Sequence, residues 1–364
     1  MKNTFGNNIS VTLFGESHGK AIGAVLDGLA PGMTVDEEFI RQVLSRRRPV
    51  GAISTARREP DNFVIESGVF EGKTTGTPLC IVIPNTDTRS GDYSAMSSVA
   101  RPSHADFTAN CKYHGYEDYR GGGHFSGRIT AALCAAGAVL MPALYEKGIY
   151  IATHIKSIGG VCDRDFGDFS ADIEKLSNMD FAVLDDSCVQ DMIAKITEAK
   201  SNGDSVGGVL ETAVTGLPAG LGEPWFDSVE SLLSHALFSV PAIKGVEFGA
   251  GFAMADMFGS QANDPFYIDG EKVKTKTNNS GGINGGITNG MSVVFRCAVR
   301  PTPTVGVSQD TVDFKNLKNT VLSAAGRHDP CIVHRARIVV DCITAITVCD
   351  ILAGRYGTDW LGAK

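Results

Sequence analysis

The chain has 364 residues, of which 43% are hydrophobic and 20% charged, an ordinary balance for a soluble globular protein. Its 33 Lys and Arg against 41 Asp and Glu give a net charge of −8, which argues against nucleic acid or an anionic membrane as partner. Nine cysteines, an odd number without a CxxC pair, fit reduced thiols and exclude a disulfide framework or a zinc site, so no metal is expected.

The opening residues lack an apolar signal region, and a soluble, cytoplasmic protein is expected. Residues 9–14 alternate and are rich in β-branched side chains, so they predict a strand, with 22–26 returning beside it. The connection, Gly15-Glu-Ser-His-Gly-Lys20, has one residue too few between its glycines for a P-loop and no Ser or Thr after Lys20. It is a tight turn presenting Ser17 and His18. Thr34-Val-Asp-Glu37 reads as a capping box opening a helix to about Ser45, stopped by Pro49 after Arg46, Arg47 and Arg48. Three arginines, with Arg57 and Arg58 close behind, exceed what a helix cap needs and point to a phosphate or carboxylate ligand.

Residues 63–70 and 78–83 read as strands joined by a hairpin, and the polar run 85–98 as a functional or interface loop. His104 lies near a helix start, flanked by Arg101 and Asp106. The stretch Tyr119-Arg-Gly-Gly-Gly-His-Phe-Ser-Gly-Arg128 is the chemical centre of the sequence. Its glycines permit positive φ and close approach, and Ser126 stands where a helix would begin. The following segment to 146 is small and apolar nearly all round, which predicts a helix buried on several sides.

Residues 149–158 and 205–215 read as strands, 186–200 and 228–238 as helices, and 163–186 as an acidic, weakly patterned insertion. Strand, Gly28-Leu-Ala-Pro-Gly and helix is echoed by strand, Gly216-Leu-Pro-Ala-Gly and helix, a hint of two related halves. Residues 259–280 read as a mobile polar loop, Gly281–Gly286 as a second glycine cluster, and 291–299 as a strand running into Arg300-Pro-Thr-Pro-Thr304. Gly326-Arg-His-Asp-Pro-Cys331 precedes a second buried helix over 338–352. Histidines, one aspartate and arginines in glycine- or proline-rich loops, with no metal spacing and no nucleophile elbow, indicate an enzyme for an anionic substrate that uses acid–base groups.

These knots resemble the chorismate synthase family. The similarity rests on Gly15-Glu-Ser-His-Gly19, Arg46-Arg-Arg-Pro49, Arg57-Arg-Glu-Pro-Asp61, Arg101-Pro-Ser-His-Ala-Asp106 and Tyr119-Arg-Gly-Gly-Gly. Ser126-Gly-Arg128, Pro218-Ala-Gly-Leu-Gly-Glu-Pro224, Gly281-Gly-Ile-Asn-Gly-Gly286 and Gly326-Arg-His-Asp-Pro-Cys331 continue it in the family's order.

The resemblance implies an α/β (α+β) fold, with buried central helices between antiparallel sheets, forming a single domain over 1–364 and a homotetramer. An internal pseudo-twofold is a further expectation. It implies a monofunctional lyase of aromatic amino-acid biosynthesis. The reaction is anti-1,4-elimination of phosphate from 5-enolpyruvylshikimate 3-phosphate with reduced FMN, NADPH entering only as an indirect reductant through an external donor. By the same resemblance His18 protonates the leaving phosphate, His104 serves the flavin N1 region and Asp329 takes part in removing the substrate proton, while Ser17 and Ser126 organise flavin and substrate. FMN contacts carry over to His124, Phe125, Ser126, Ala242, Gly285, Arg300, Pro301, Thr302, Pro303, Thr304 and Arg327. Arg47, Arg48 and Arg128 are expected at the substrate or nicotinamide nucleotide. The chain departs from the family pattern at His124-Phe125, at Pro241, and after Pro49, where a further arginine is usual.

Overall fold

The computed structural model describes residues 2–49, 51–54, 60–86, 98–177, 179–323 and 329–362. Two five-stranded antiparallel sheets enclose two long helices. The first sheet runs in the order Thr4–Phe5, Ser10–Gly15, Ala21–Asp27, Leu79–Pro84, Val64–Ser67. The second runs Ile243–Phe248, Val293–Val299, Gly208–Thr215, Tyr150–Ile158, Val161–Cys162. Helix Thr130–Glu146 packs on the first sheet and helix Val333–Tyr356 on the second, and the two helices pack on each other. The expectation of buried helices between antiparallel sheets therefore holds, in four layers.

The small-residue composition of the first helix has a packing cause. A Cβ on Gly137 would fall 2.5 Å from Cβ and 2.6 Å from Cα of Cys342, so the helices cross nearly in backbone contact there. Helix Gly127–Glu146 is long and apolar enough to span a membrane by composition, but it is largely buried within this sandwich. Buried residues of both sheets and both helices form one continuous cluster.

The longer core elements of each half follow the order strand, strand, helix, strand, strand, helix, with helices Phe169–Ser177 and Val189–Ser201 inserted between the first two strands of the second half. In each sheet the second of these strands lies beside the first and the fourth. Gly28 and Gly216, both at φ +81°, end the second strand of each half pressed against the backbone entering the first. The echo in sequence thus corresponds to shared topology, which by itself does not establish a twofold axis.

Several expectations need correction. Thr34 does not cap the first helix; Asp36 does, accepting from Phe39 N at 2.9 Å, and the helix is Glu37–Arg47. Thr34 instead accepts from Lys73 Nζ at 2.7 Å. The acidic insertion contains a helix, Phe169–Ser177. The supposed loop 259–280 holds a short helix, Gly259–Ala262, and a hairpin of Phe266–Asp269 with Lys272–Thr275. The second central helix is longer than its apolar run, with 24 residues. Of the polar run 85–98, residues 87–97 lie outside the described residues.

Candidate active site

The glycine run is shaped by two imidazoles. Gly121, Gly122 and Gly123 all have positive φ, at +58°, +85° and +53°. A Cβ on Gly121 would meet Cε1 of His18 at 2.3 Å, and one on Gly122 would come within 3.4 Å of Nε2 of His104. One on Gly123 would strike the Asp118 carbonyl at 2.0 Å. Only hydrogen at Cα allows this chain to lie against both rings. Ser17 N donates to Gly123 O at 3.0 Å, and His124 Nδ1 donates to Gly15 O at 2.7 Å, binding the run to the Gly15–Lys20 turn. Arg120, which the sequence places in an anion-binding loop, is engaged by both carboxylate oxygens of Asp118 at 2.8 Å. That pairing holds the Asp118 carboxyl below its usual value.

His104 lies just ahead of helix Asp106–Tyr113. Its Nδ1 is 2.8 Å from Asp106 Oδ1 and 3.0 Å from Arg101 Nη2, and its Nε2 faces Gly122. Asp106 also receives Arg101 through Nε at 2.8 Å and Nη2 at 2.6 Å. Burial pushes the Asp106 carboxyl up, but Arg101 and His104 outweigh it and hold it well below the usual range.

On the other side of Ser126 lies a basic cavity of about 220 Å3, lined by Arg47, Arg48, Ser126, Arg128, Pro241 and Arg335 among others. At its floor Asp61, only 2% exposed, accepts from Arg47 Nη2 at 2.8 Å and from Arg128 Nη1. Burial raises this carboxyl, yet Arg47 and Arg128 leave it below its ordinary value. Four guanidinium groups against two carboxylates, Asp61 and Asp329, leave cationic donors for a ligand carrying several negative charges. Asn85 ties the cavity to the histidine turn. It accepts from Arg128 Nε at 3.0 Å and donates to the Glu16 and Gly19 carbonyls, each at 2.9 Å. Ser126 accepts from Arg128 N at 3.2 Å, and a turn of 3₁₀ helix leads from it into Thr130–Glu146, as the sequence suggested.

A larger cavity of about 1200 Å3 shares this wall: Ser126, Gly127, Thr130, Pro241, Ile332 and Arg335 line both. It is also lined by His104, His124, Phe125, Ala242, Arg300, Thr302 and Pro303. The 300–304 segment is a brace. Arg300 Nη1 donates to Ser103 O at 2.7 Å beside His104, and Thr302 Oγ1 donates to Asp329 O at 2.6 Å. Asp329 is ion-paired with Arg335, which lines both cavities. Burial pushes the Arg335 guanidinium below its ordinary value while Asp329 opposes that shift.

Most of the expected residues are therefore gathered. His18 and Asp329 are not themselves in the cavity walls; His18 packs on Gly121 and Asp329 on Arg335. Pro301 lines a small side pocket with Ser103, while Thr304 and Gly285 line none of these cavities. Gly285 and Gly286 turn the Ile283–Asn284/Ile287–Thr288 hairpin, and Gly286 packs on Glu223 and Ser228. That glycine cluster serves close backbone packing. Arg327, with Arg57 and Arg58, lies outside the described residues. Asp61, Asn85 and Arg335 are site components to which sequence reasoning gave no role, whereas Asp106 stood out only as a neighbour of His104.

A family model described as chorismate synthase matches residues 9–353. Chorismate synthase from Pyrococcus abyssi is 44% identical over 350 residues, covering 96% of this chain and 97% of that protein. The enzyme of Parabacteroides distasonis is likewise 44% identical, over 352 residues and the same shares of both chains. A crystal structure of chorismate synthase superposes with a TM-score of 0.76 at 31% identity, covering 97% of this chain and 94% of the other. The chain belongs to the chorismate synthase family.

Proposed function

We propose that the protein converts 5-enolpyruvylshikimate 3-phosphate to chorismate by anti-1,4-elimination of phosphate, with reduced FMN, in aromatic amino-acid biosynthesis. The observation that carries this reading is the common wall at Ser126, with a four-arginine cavity on one side and a cofactor-sized cavity on the other. The first suits a substrate bearing a phosphate and carboxylates. The second, at about 1200 Å3, is somewhat larger than the roughly 300–1,000 Å3 of ordinary ligand pockets and has room for a cofactor. The residues present fit FMN there. The buried Nε atoms of Arg300 and Arg335 have no hydrogen-bond partner among the described residues, and both side chains line this cavity. Ala242, at φ +76°, turns the backbone at its edge.

The reaction breaks one C–O bond and one C–H bond, shifts the ring double bond and gains one C=C bond overall, so it is redox-neutral and needs an acid and a base. Reduced FMN, when bound, supplies electron density to the allylic system and recovers it. Arg47, Arg48, Arg128 and Arg335 hold the anionic groups and offset charge growing on the departing phosphate. His18 donates a proton to that phosphate. His104, fixed at Nδ1 by Asp106, holds or releases a proton at Nε2 toward the larger cavity. Asp329, steadied by Arg335, accepts the proton lost from carbon. Ser17 Oγ, fully buried and without a hydrogen-bond partner among the described residues, is available to a ligand beside His18.

The same reading makes the chain 1–364 a single domain, a cytoplasmic homotetramer binding neither nucleic acid nor membrane. It is monofunctional, depending on an external flavin reductant, with NADPH acting only through that donor. Supplying the enolpyruvyl substrate with chemically reduced FMN under anaerobic conditions and following chorismate tests the central claim; absence of product overturns it. Rapid bleaching of FMN by NADPH and the protein alone would overturn monofunctionality.

A further inference from the structure

A second substantial cavity, of about 670 Å3, shares both arginine-bearing helices with the basic cavity. In helix Glu37–Arg47 and its cap, Arg47 and Arg48 line the first cavity and Arg46 the second. In helix Val333–Tyr356, Arg335, Ala336 and Val339 line the first, while Arg337, Ile338 and Asp341 line the second. A turn of ~100° per residue places these two sets on opposite faces of the helix.

The second cavity has an aromatic wall and a charged end. Tyr145 and Tyr150 stack with centroids 5.5 Å apart at 18°, and Phe39 meets Tyr145 edge-on at 6.2 Å. All three line the cavity, with Met141, Ile173 and Leu176. At the other end Arg337 is 3% exposed, and its one hydrogen bond among the described residues goes from Nη2 to the Met179 carbonyl. Its guanidinium has five N–H groups and makes no ion-pair contact with a carboxylate among the described residues, Asp341 and Asp180 acting on it only through longer-range attraction, so donors remain for a ligand carboxylate. Arg46 adds a second cation, its Nη2 donating to Ser177 O at 2.7 Å. Asp341, one helical turn after Arg337, accepts from Thr153 Oγ1 at 2.6 Å. Burial pushes its carboxyl up to about 6 against the pull of Arg337.

Arg337 and Asp341 thus present opposite charges to one space from positions whose Cβ atoms lie ~6 Å apart, without closing an ion pair on each other. A ligand with a carboxylate and an ammonium on one carbon can engage both, and an attached ring would reach the tyrosine wall. We propose that this cavity binds a free aromatic α-amino acid, with its carboxylate on Arg337 and Arg46, its ammonium on Asp341 and its ring on Tyr145 and Tyr150. The proposal is independent of the reaction assigned to the first cavity.

Calorimetric titration of the full chain with L-phenylalanine, 3-phenylpropanoate and 2-phenylethylamine tests it. The first probe carries both charges and the others one each. The expected result is one saturable site per chain for L-phenylalanine, with each single-charge probe bound at least about tenfold more weakly, the scale of one lost charge-assisted hydrogen bond. Tyr150→Ala, at a half-exposed position, and Arg337→Met should each weaken L-phenylalanine binding by a similar factor. Arg337→Met is read only if its circular dichroism stays native, whereas the three-probe comparison needs no variant. No saturable heat with L-phenylalanine, equal binding of the three probes, or unchanged binding in Tyr150→Ala would overturn the proposal.

Discussion

Gly121 lies against the imidazole of His18 so closely that a single added methyl would stand 2.3 Å from Cε1 and 2.5 Å from Nδ1. The same methyl would come 3.0 Å from Ser17 Oγ, so the glycine sets the place of both side chains. Its φ of +58° adds backbone strain for any L side chain. Gly121→Ala is therefore expected to displace His18 and lower turnover on the order of 10²-fold, the scale of a lost general acid. Gly259→Ala, where a Cβ meets nothing within 4 Å and φ is not positive, should leave turnover unchanged. Steady-state rates with reduced FMN, beside thermal melts, separate a misplaced histidine from a protein that has merely lost stability.

Asp61 is the carboxylate on which the basic cavity rests. Asp61→Asn leaves Arg47 and Arg128 facing a neutral amide inside the protein, and breaking a buried pair of this kind costs about 3 kcal/mol or more. The pH dependence follows from the depressed carboxyl. A group whose folded pKa lies below its unfolded value of 3.8 stabilises the protein above that value and loses the effect as pH falls through the folded one. Urea denaturation should therefore show the full gap between wild type and variant at pH 7, closing only below about pH 4. A gap that closes near pH 6 would contradict this account.

The Asp106 carboxylate holds the His104 ring at Nδ1, and on the proposed reading the two work as a unit. His104→Ala is expected to cost on the order of 10²-fold or more in turnover. Asp106→Asn keeps the side-chain shape but removes the negative charge that anchors the ring at Nδ1 and binds Arg101, and is expected to cost about 10- to 100-fold, as for other orienting partners. The double variant should be little worse than His104→Ala alone, because the aspartate has no imidazole left to orient. Fully multiplicative losses in the cycle would show that Asp106 acts independently of His104.

What the sequence revealed and what it hid divide on physical grounds. The core strands were legible because burial alternates along them, as in Leu79–Pro84, and the first central helix because its apolar run is long. The hairpin strand Phe266–Asp269 was not, since all four residues are exposed and no buried face marks it. In Phe169–Ser177 only Asp172 and Leu176 are buried, too few for a visible stripe. The arginines were identified as an anion site, but their counter-charge was not. Asp61 meets Arg128 across 67 residues of sequence, and nothing local announces a pairing of that kind. Arg335 was hidden for another reason, lying in the first turn of a helix whose apolar run begins only at Ile338. By contrast Arg120 could have been excluded as a ligand group from sequence, because Asp118 stands two residues away and takes its guanidinium.

Variants of Asp329 and Arg335 are expected to separate proton transfer from anion binding. The ion pair between these residues places the carboxylate beside an arginine that lines both cavities. Asp329→Asn retains the shape and removes the proton acceptor, so kcat should fall on the order of 10²-fold with KM little changed. Arg335→Met removes a cation from the cavity and leaves the carboxylate, so KM for the enolpyruvyl substrate should rise as well as kcat fall. Single-turnover rates with the reduced flavin supplied chemically make the distinction independent of flavin reduction. A rise in KM alone for Asp329→Asn would assign the aspartate to holding Arg335 in place and not to the proton.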